Sequence, residues 1–352
     1  MPEIPDGPIG GPSNWRGDQF ADDTAWIDIL SPEVIADIDA ALILARENGL
    51  QPPTFGKEDF PLPAFAGQAD RLRNELDGGR GFALLRGLAM ERYSTEDAAI
   101  IFWGIACHLG RVVSQNAYGE LLGHVRDRGL DINDPNVRSY QTTQGQEFHN
   151  DLADVIGLMC VQQAKQEGES SLVSAATIHD IMLEERPDLL PVLFGPFTID
   201  RRGEPGRPGE ESDLYYRLPV FSYHLGLLSA HLKIMDYYQS AERYPGVSSM
   251  TQARKDALIL LWEIAHRPGV AVRFMMQPGD LQFACNYSVL HARSTFEDWD
   301  EPDRKRHLLR IWLCIANSRE LPPEFKPLYQ SVAPGTVRGW IPKTREPTLE
   351  PA

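Results

Sequence analysis

The sequence predicts a mainly β fold in which a jelly roll or double sheet is flanked by helices. Beyond residue 148 short apolar runs typical of strands dominate, and helical patterns lie before and between them. Strands and helices do not alternate regularly, which argues against a parallel sheet built from βαβ units. The sequence shows no internal repeat, and a length of 352 residues suits one large domain with elaborations.

The first part of the chain predicts an irregular arm followed by a helix. Residues 1–22 are rich in proline, glycine and acidic side chains, so we expect an arm there and a single domain over residues 23–330. Ser31 is suited to cap a helix, and Pro32 is suited to its first position. Apolar positions then recur on one face until Gly49, which is expected to end the helix.

Two more helices are predicted on either side of a buried strand. Residues 67–77 have a helical pattern, and the apolar run at 81–88 is typical of a strand with no exposed face. Ser94 and Asp97 have the spacing of a capping box, and the apolar stripe that follows continues to Leu109.

The remaining chain is strand-rich and contains two candidate lids. Residues 117–145 show little periodicity, and loops of that length within a compact domain are commonly functional. Residues 201–213 have almost no apolar content, which predicts a mobile lid or disorder. Helical inserts are expected at 177–194 and 251–267, and a C-terminal tail at 331–352.

Charge and cysteine content disfavour several classes of protein. Lys and Arg number 34 against 50 Asp and Glu, a net charge of −16, and there is no basic run. Binding to nucleic acid or to an anionic membrane is therefore not expected. No signal peptide and no apolar stretch of about 20 residues are apparent. The four cysteines are widely separated and form no CxxC pair, which predicts reduced thiols and a cytoplasmic protein. A homo-oligomer is left open.

The first candidate for chemistry is the pattern His149-Asn150-Asp151. Sequence motifs of dinucleotide-binding, P-loop, zinc-protease and serine-hydrolase proteins are absent. In a strand, residues i and i+2 face the same side about 7 Å apart, so His149 and Asp151 can reach one ion. They would supply two of the three ligands of a 2-His-1-carboxylate iron(II) site. With nine histidines in the chain the pattern alone is weak, and a surface histidine beside a turn aspartate is the alternative.

A second histidine must come from another strand. His291 closes an apolar strand that starts after the Pro278-Gly279 turn, so it is well placed at a barrel mouth. His224 and His231 lie on or beside a predicted strand and are competing candidates. An ordinary core or rim role for His291 also stays open.

The segment KRHLLRIWL provides a cationic element. In a strand, Arg306 and Arg310 share one face with Leu308 and Trp312. Two cations on an apolar strand need counter-ions, which come either from internal carboxylates or from a bound anion held bidentately.

Four segments in this order, FHNDLADV, GESSLVSAA, NYSVLHARSTFEDW and KRHLLRIWL, together resemble one known family. This is the TauD/TfdA family of iron(II)- and 2-oxoglutarate-dependent dioxygenases, which includes clavaminate-synthase-like enzymes. The resemblance runs from about Gly81 to Asn317. It implies a double-stranded β-helix, a distorted jelly roll with helical inserts, which uses iron(II), 2-oxoglutarate and O₂.

The resemblance also implies roles for individual residues. His149, Asp151 and His291 match the iron ligands. Arg306 matches the arginine that binds the distal carboxylate of 2-oxoglutarate. Ser171 stands where the family commonly has threonine, and would donate a hydroxyl to the same carboxylate.

Four further positions have less specific implied roles. Arg310 matches a second arginine that contacts either substrate or 2-oxoglutarate. Asn116 falls in a segment that lines the substrate side of similar proteins, although an ordinary loop role is equally open. Asp154 and Arg293 are candidates to orient the metal ligands, with turn and rim roles as alternatives.

The implied reaction is oxidation, most commonly hydroxylation, of a small molecule with release of succinate and CO₂. A carboxylate- or sulfonate-bearing substrate or a natural-product intermediate is expected. One alternative is a zinc-dependent hydrolase with the same ligands, which the Arg306 and Arg310 pair and the lack of a glutamate next to the HxD pattern disfavour. Another is a non-catalytic jelly-roll protein that binds a small acid.

Overall fold

The structure is a computed structural model that describes residues 3–21, 24–132, 137–206 and 210–346. The predicted arm, the predicted start of the domain at residue 23, both predicted lids and the predicted tail each include positions outside these ranges.

The described residues form seventeen strands and seven α-helices. The strands are β1 (Ile27–Ile29), β2 (Phe82–Arg86), β3 (Arg111–Val113), β4 (Leu122–Val125), β5 (Gln146–His149), β6 (Val155–Gln162), β7 (Gln166–Glu167), β8 (Ser170–Ser174), β9 (Pro196–Asp200), β10 (Tyr215–Pro219), β11 (Phe221–His224), β12 (Leu227–Ala230), β13 (Val272–Phe274), β14 (Leu281–Cys285), β15 (Val289–Arg293), β16 (Phe296–Glu297) and β17 (His307–Cys314). The helices are α1 (Pro32–Glu47), α2 (Ala66–Leu76), α3 (Thr95–Leu109), α4 (Ala175–Glu185), α5 (Met235–Ala241), α6 (Gln252–His266) and α7 (Lys326–Tyr329).

Two sheets form the centre of the molecule. The larger has the order β1-β2-β14-β6-β17, and both β3 and β4 pair with the free edge of β17. Only its β1–β2 pair is parallel. The smaller sheet has the order β13-β8-β15-β5 and is antiparallel throughout. This sheet pair with helical inserts confirms the predicted double-stranded β-helix.

Apolar side chains pack in part of the space between the two sheets and cover both outer faces. Between the sheets, Ile156 and Trp312 of the larger one belong to the same cluster as Leu172 and Val289 of the smaller one. Helices α1–α3 pack on the outer face of the larger sheet, and α4 and α6 on that of the smaller. Alternating strand residues therefore serve two cores, as expected for covered sheets.

The helix starts follow the capping chemistry in the sequence. The Ser31 hydroxyl accepts the backbone N–H of Val34 at 3.4 Å. Ser94 and Asp97 form a reciprocal capping box, with the Ser94 N–H donating to the Asp97 carboxylate at 2.8 Å. No helix within the described ranges is long and apolar enough to cross a bilayer.

The segments predicted as irregular are partly ordered. Residues 122–125, inside the expected loop 117–145, form β4 against β17, so that part of the expectation is corrected. Trp15 of the expected arm is buried and donates its indole N–H to the Arg80 carbonyl at 2.7 Å. Beyond residue 331, Arg338 is buried beside Asp154.

Candidate metal centre

His149, Asp151 and His291 come together where β5 and β15 pair. His149 is the last residue of β5 and lies directly opposite His291 of β15 in the antiparallel register. Directly opposed residues share one face of a sheet, so both imidazoles point to the same side. Asp151 follows two residues after His149 and completes the group.

The three side chains are close enough to share one ion. One candidate ligand atom from each lies within 4.8 Å of the others, and this is the single group of three or more such residues in the described chain. His291 Nε2 lies 3.9 Å from Asp151 Oδ2, and the two imidazole centroids lie 4.3 Å apart. Two imidazoles and one carboxylate on one face are the donor set that open-sided iron(II) sites use.

The electrostatic environment keeps all three side chains in the protonation states that bind metals. Burial lowers the pKa of His149, and burial followed by the nearby His149 lowers the pKa of His291 to about 3. Burial acts to raise the pKa of Asp151, but nearby positive charge, Arg310 first, lowers it overall to about 2. Near neutral pH the site therefore offers two neutral imidazoles and one carboxylate, the forms in which these groups bind metals.

Hydrogen bonds orient two of the three side chains. His149 Nδ1 lies 2.8 Å from the Glu147 carbonyl, which can only accept, so the proton is on Nδ1 and the lone pair on Nε2. The Trp312 indole N–H donates to Asp151 Oδ2 at 3.0 Å, and Asn286 Oδ1 accepts the backbone N–H of Asp151 at 3.2 Å. Such partners fix ligand orientation in metal sites.

Gln146 contacts the lone pair that ligation would use. Its side-chain amide lies 3.1 Å from His149 Nε2 and donates to it. Ligation through Nε2 therefore requires this amide to turn away.

The competing histidines lie elsewhere. His231 is fully buried and bonds to the Tyr216 hydroxyl at 2.9 Å through Nε2. The Nε2 atom of His224 lies 3.3 Å from Glu320 Oε1. Neither belongs to the group of three, and His291 is the histidine that lies beside His149 and Asp151 in the described chain.

A small basic cavity of about 40 Å³ adjoins His291 and His149. Arg306 and Arg293 both line it, and both guanidinium groups stack on the Phe296 ring, at 5.1 and 4.7 Å from its centroid. Arg306 Nη1 is buried and has no hydrogen-bond partner among the described residues.

Both arginines stay charged despite their surroundings. Burial lowers the pKa of Arg306 to about 10, and burial followed by the neighbouring Arg306 lowers that of Arg293 to about 9. Within the described part of the chain, neither has a carboxylate oxygen within 4.0 Å. Two buried cations with this environment suit a bound anion.

The serine predicted to serve this cavity lies on the other side of its strand. Ser170 pairs with Arg293 across β8 and β15 and lines the cavity, whereas Ser171 pairs with Ala292. Because successive strand residues point to opposite faces, Ser171 is turned away from Arg293 and Arg306. The structure therefore brings Ser170, and not Ser171, to the cavity.

A larger cavity of about 520 Å³ is lined by His149 and Asp151. Arg310 lines both cavities. Its Nε donates to Gln115 Oε1 at 2.5 Å, while Gln115 Nε2 donates back to the Arg310 carbonyl at 3.0 Å. The Arg310 guanidinium also stacks over Tyr140, 4.4 Å from the ring centroid.

Asn116 lines the larger cavity, but its side chain is committed to a turn. Its Oδ1 accepts the backbone N–H groups of Tyr118 and Glu120 at 3.0 and 3.3 Å, and its amide donates to the Glu120 carboxylate. The neighbouring Gln115, which the sequence did not single out, is the side chain that exchanges hydrogen bonds with Arg310.

The two candidate orienting residues also have defined contacts. Asp154 accepts from Arg338 Nε at 2.6 Å and from the Tyr287 hydroxyl at 2.7 Å, and it makes no direct contact with the three ligand candidates. Arg293 Nη2 donates to the carbonyls of Thr142 and Gln144 at the wall of the small cavity. Trp312 instead orients Asp151, and its shared strand face with Arg310 was the signal available in the sequence.

Comparison with known proteins gives a consistent result. A family model described as "Taurine catabolism dioxygenase TauD, TfdA family" matches residues 48–312. FR-33289 synthase of Streptomyces rubellomurinus is 32% identical over 327 residues, which cover 92% of this chain and 95% of that protein. Taurine hydroxylase-like protein SAT17 of Stachybotrys chartarum is 29% identical over 306 residues, covering 84% and 77%.

Solved structures show the same fold at low sequence identity. Asparagine oxygenase is similar with a TM-score of 0.62 and 15% identity, over 89% of this chain and 99% of that one. The non-heme iron oxygenase OrfP, solved with Fe and alpha-ketoglutaric acid, has a TM-score of 0.55 and 16% identity, over 82% and 93%.

Proposed function

The chain belongs to the TauD/TfdA family and is an iron(II)- and 2-oxoglutarate-dependent dioxygenase, and we propose the residues and the substrate class through which it acts. The observation that carries the proposal is the convergence of His149, Asp151 and His291 within 4.8 Å beside a basic cavity. Because the chain belongs to this dioxygenase family, we no longer favour the two alternatives, a zinc hydrolase and a non-catalytic binding protein, as explanations of that convergence.

In this proposal His149, Asp151 and His291 hold the iron. When bound, iron(II) with 2-oxoglutarate supplies the activation of O₂ that drives substrate oxidation, most commonly hydroxylation, with release of succinate and CO₂. The Trp312 indole holds Asp151 Oδ2 in place by a hydrogen bond. The Glu147 carbonyl accepts the Nδ1 proton of His149, which leaves the lone pair on Nε2.

The small cavity is proposed to hold the distal carboxylate of 2-oxoglutarate. Arg306 supplies a partnerless, buried guanidinium N–H, and charge-assisted bonds of this kind are the strong ones. Ser170 takes the hydroxyl role that the sequence suggested for Ser171, because Ser170 lines the cavity. Arg293 adds positive charge beside Arg306.

The larger cavity is proposed to bind a small acidic substrate. Among the described residues, eight basic and five acidic side chains line it, in a chain whose net charge is −16. One of the five acids is Asp151, which the metal would use. A carboxylate- or sulfonate-bearing molecule, or a natural-product intermediate with such a group, matches this excess of positive charge. Arg310 lies between the two cavities and is proposed to contact that substrate.

The proposal extends to the setting of the protein. The four cysteines are unpaired, which supports a reducing, cytoplasmic location. The acidic net charge supports a partner list of small molecules, without nucleic acid or membrane. Self-association is left to measurement of the molar mass in solution.

Metal dependence tests the proposal directly. Purified protein supplied with 2-oxoglutarate, O₂ and a panel of small organic acids is expected to release succinate only when iron(II) is added. Zinc(II) in place of iron(II) should give none, because zinc has no redox chemistry. Succinate release that chelators leave undiminished would end the proposal.

The two adjacent serines give a matched test of the cosubstrate cavity. Ser170→Ala removes a hydroxyl from the cavity wall and is expected to raise the KM for 2-oxoglutarate about 10-fold, since a hydrogen bond to a charged group contributes roughly 1.5–3 kcal/mol. Ser171→Ala changes the opposite face of the same strand and is expected to leave that KM within about 2-fold. Equal effects in the two variants, or the reverse order, would remove Ser170 from the site.

A further inference from the structure

Lys233 lies beside the metal-ligand segment in a fixed position. It follows β12, and its ammonium donates to the carbonyl of Asn150, the residue between His149 and Asp151. Asn150 in turn forms two hydrogen bonds with Leu232, each 2.9 Å long. Its backbone N–H donates to the Leu232 carbonyl, and its Oδ1 accepts the Leu232 backbone N–H. The chain before Lys233 is thus tied to the segment that carries two ligand candidates.

The Lys233 ammonium has more donor capacity than the protein uses. It has three N–H groups, and the Asn150 carbonyl is its sole hydrogen-bond acceptor among the described residues. No carboxylate oxygen of the described chain lies within 4.0 Å of it. Lys233 lines the larger cavity, so its remaining N–H groups are available to a bound molecule.

Arg310 lines the same cavity and likewise has no carboxylate partner among the described residues. Its Nε is bound by the neutral Gln115, and no carboxylate of the described residues forms an ion pair with it. Burial lowers the pKa of Lys233, the negative charges of Asp151 and Glu204 act against that effect, and repulsion by Arg310 adds a smaller lowering. An anion in contact with both groups would relieve this repulsion.

We propose that Lys233 is a specificity-determining residue whose ammonium, with the Arg310 guanidinium, binds the acidic group of the substrate. This inference rests on the proposed function and adds the residue that selects the substrate. Because Lys233 is bonded to the carbonyl between His149 and Asp151, an acid held there is anchored next to the metal ligands. Binding of the acid thus positions the rest of the substrate for oxidation.

Replacement of Lys233 by glutamine tests the effect of its positive charge separately from the effect of its hydrogen bond to Asn150. Lys233→Gln keeps an N–H donor that can reach toward the Asn150 carbonyl but removes the positive charge. Lys233→Arg keeps the charge. Arg273→Gln is the matched control, because Arg273 is an exposed basic residue that lines neither cavity, so its replacement tests the loss of one positive charge alone.

Simple methyl anions serve as probes for the acidic group. Protein loaded anaerobically with cobalt(II) and 2-oxoglutarate is titrated with acetate, methanesulfonate or methylphosphonate, and with neutral dimethyl sulfone. Paramagnetic broadening of the methyl proton signal reports binding near the metal, and comparison of the three anions identifies the preferred acid. Cobalt uptake by each variant is measured separately.

The wild-type protein is expected to broaden at least one anion signal and to leave dimethyl sulfone unchanged. Lys233→Gln should weaken binding of that anion about 10-fold or more. Lys233→Arg should stay within about 3-fold of wild type, and Arg273→Gln within about 2-fold. Equal affinity in wild type and Lys233→Gln, or no binding of any of the three anions to wild type, would overturn the inference.

Two further readouts keep the test decisive. Failure of the wild type to take up cobalt(II) and 2-oxoglutarate would count against the proposed function itself, whereas normal uptake with unchanged anion affinity in Lys233→Gln counts only against Lys233. If the variant does not fold, reductive methylation of Lys233 in the wild-type protein replaces it. The anions should slow that modification and dimethyl sulfone should not; an unchanged rate would overturn the inference.

Discussion

Replacing Asp151 by alanine is expected to lower iron-dependent succinate formation more than about 100-fold, beyond the 10- to 100-fold typical for loss of an outer partner of a metal ligand. Asp151 is the one anionic donor in the group of three, and positive charge nearby holds its pKa at about 2. Without it two neutral imidazoles remain, and the affinity for a divalent cation falls. Iron content and succinate release measure the effect.

Loss of the ligand must be separated from loss of the fold. Asp151 Oδ2 accepts the Trp312 indole N–H, so alanine leaves a buried donor without a partner. Asp151→Asn keeps an acceptor oxygen and nearly the same shape, and should unfold at the wild-type temperature while remaining inactive. Asp188→Ala, at an exposed carboxylate paired with Arg186, serves as the control for removal of an aspartate. An active, iron-dependent Asp151→Asn enzyme would contradict the ligand assignment.

Arg306→Ala is expected to raise the KM for 2-oxoglutarate about 100-fold, with a smaller change in kcat at saturating 2-oxoglutarate. A buried guanidinium can make two charge-assisted bonds to one carboxylate, each worth roughly 1.5–3 kcal/mol. Arg306 Nη1 is buried without a partner in the described structure, so the protein itself does not replace these bonds. Succinate formation over a range of 2-oxoglutarate concentrations measures the shift.

Two variants control for the arginine. Arg304→Ala removes an exposed guanidinium that stacks on Trp299 nearby, and should leave the KM within about 2-fold. Arg306→Lys keeps the charge but loses the planar fork, so an intermediate KM is expected. If the KM of Arg306→Ala is unchanged, the cosubstrate carboxylate must be held elsewhere.

Much of the fold could be predicted from local pattern. The capping signals at Ser31 and Ser94 predicted the starts of α1 and α3, because caps act through neighbouring residues. The strand-rich second half predicted the double sheet in the same way. The strand β4 was missed, since four residues in a polar stretch give too little periodicity, and pairing with β17 decides their conformation.

Candidate site residues that belong to a sequence motif could be predicted. Those whose position depends on the register between two strands could not. The spacing of His149 and Asp151 was enough to predict that the two side chains lie close together, and the family resemblance indicated His291 as their partner. The choice between Ser170 and Ser171 depends on how β8 aligns with β15, and a shift of one residue exchanges the faces of a strand. Lys233 belongs to no motif and becomes visible only through its contact with Asn150.

The buried pair Asp154–Arg338 makes the candidate metal centre sensitive to changes at a distance. Both side chains are almost inaccessible, with 1% and 0% exposed, and 184 residues separate them in sequence. Removing one partner of such a pair destabilises a protein by roughly 3–5 kcal/mol, against a total stability of about 5–15 kcal/mol. Asp154 lies three residues after Asp151, so the uncompensated charge would loosen the ligand segment itself. Cleavage of the chain between residues 319 and 338 is thus expected to loosen the ligand segment as well as the wall of the larger cavity, to which Ile341 and Arg345 contribute.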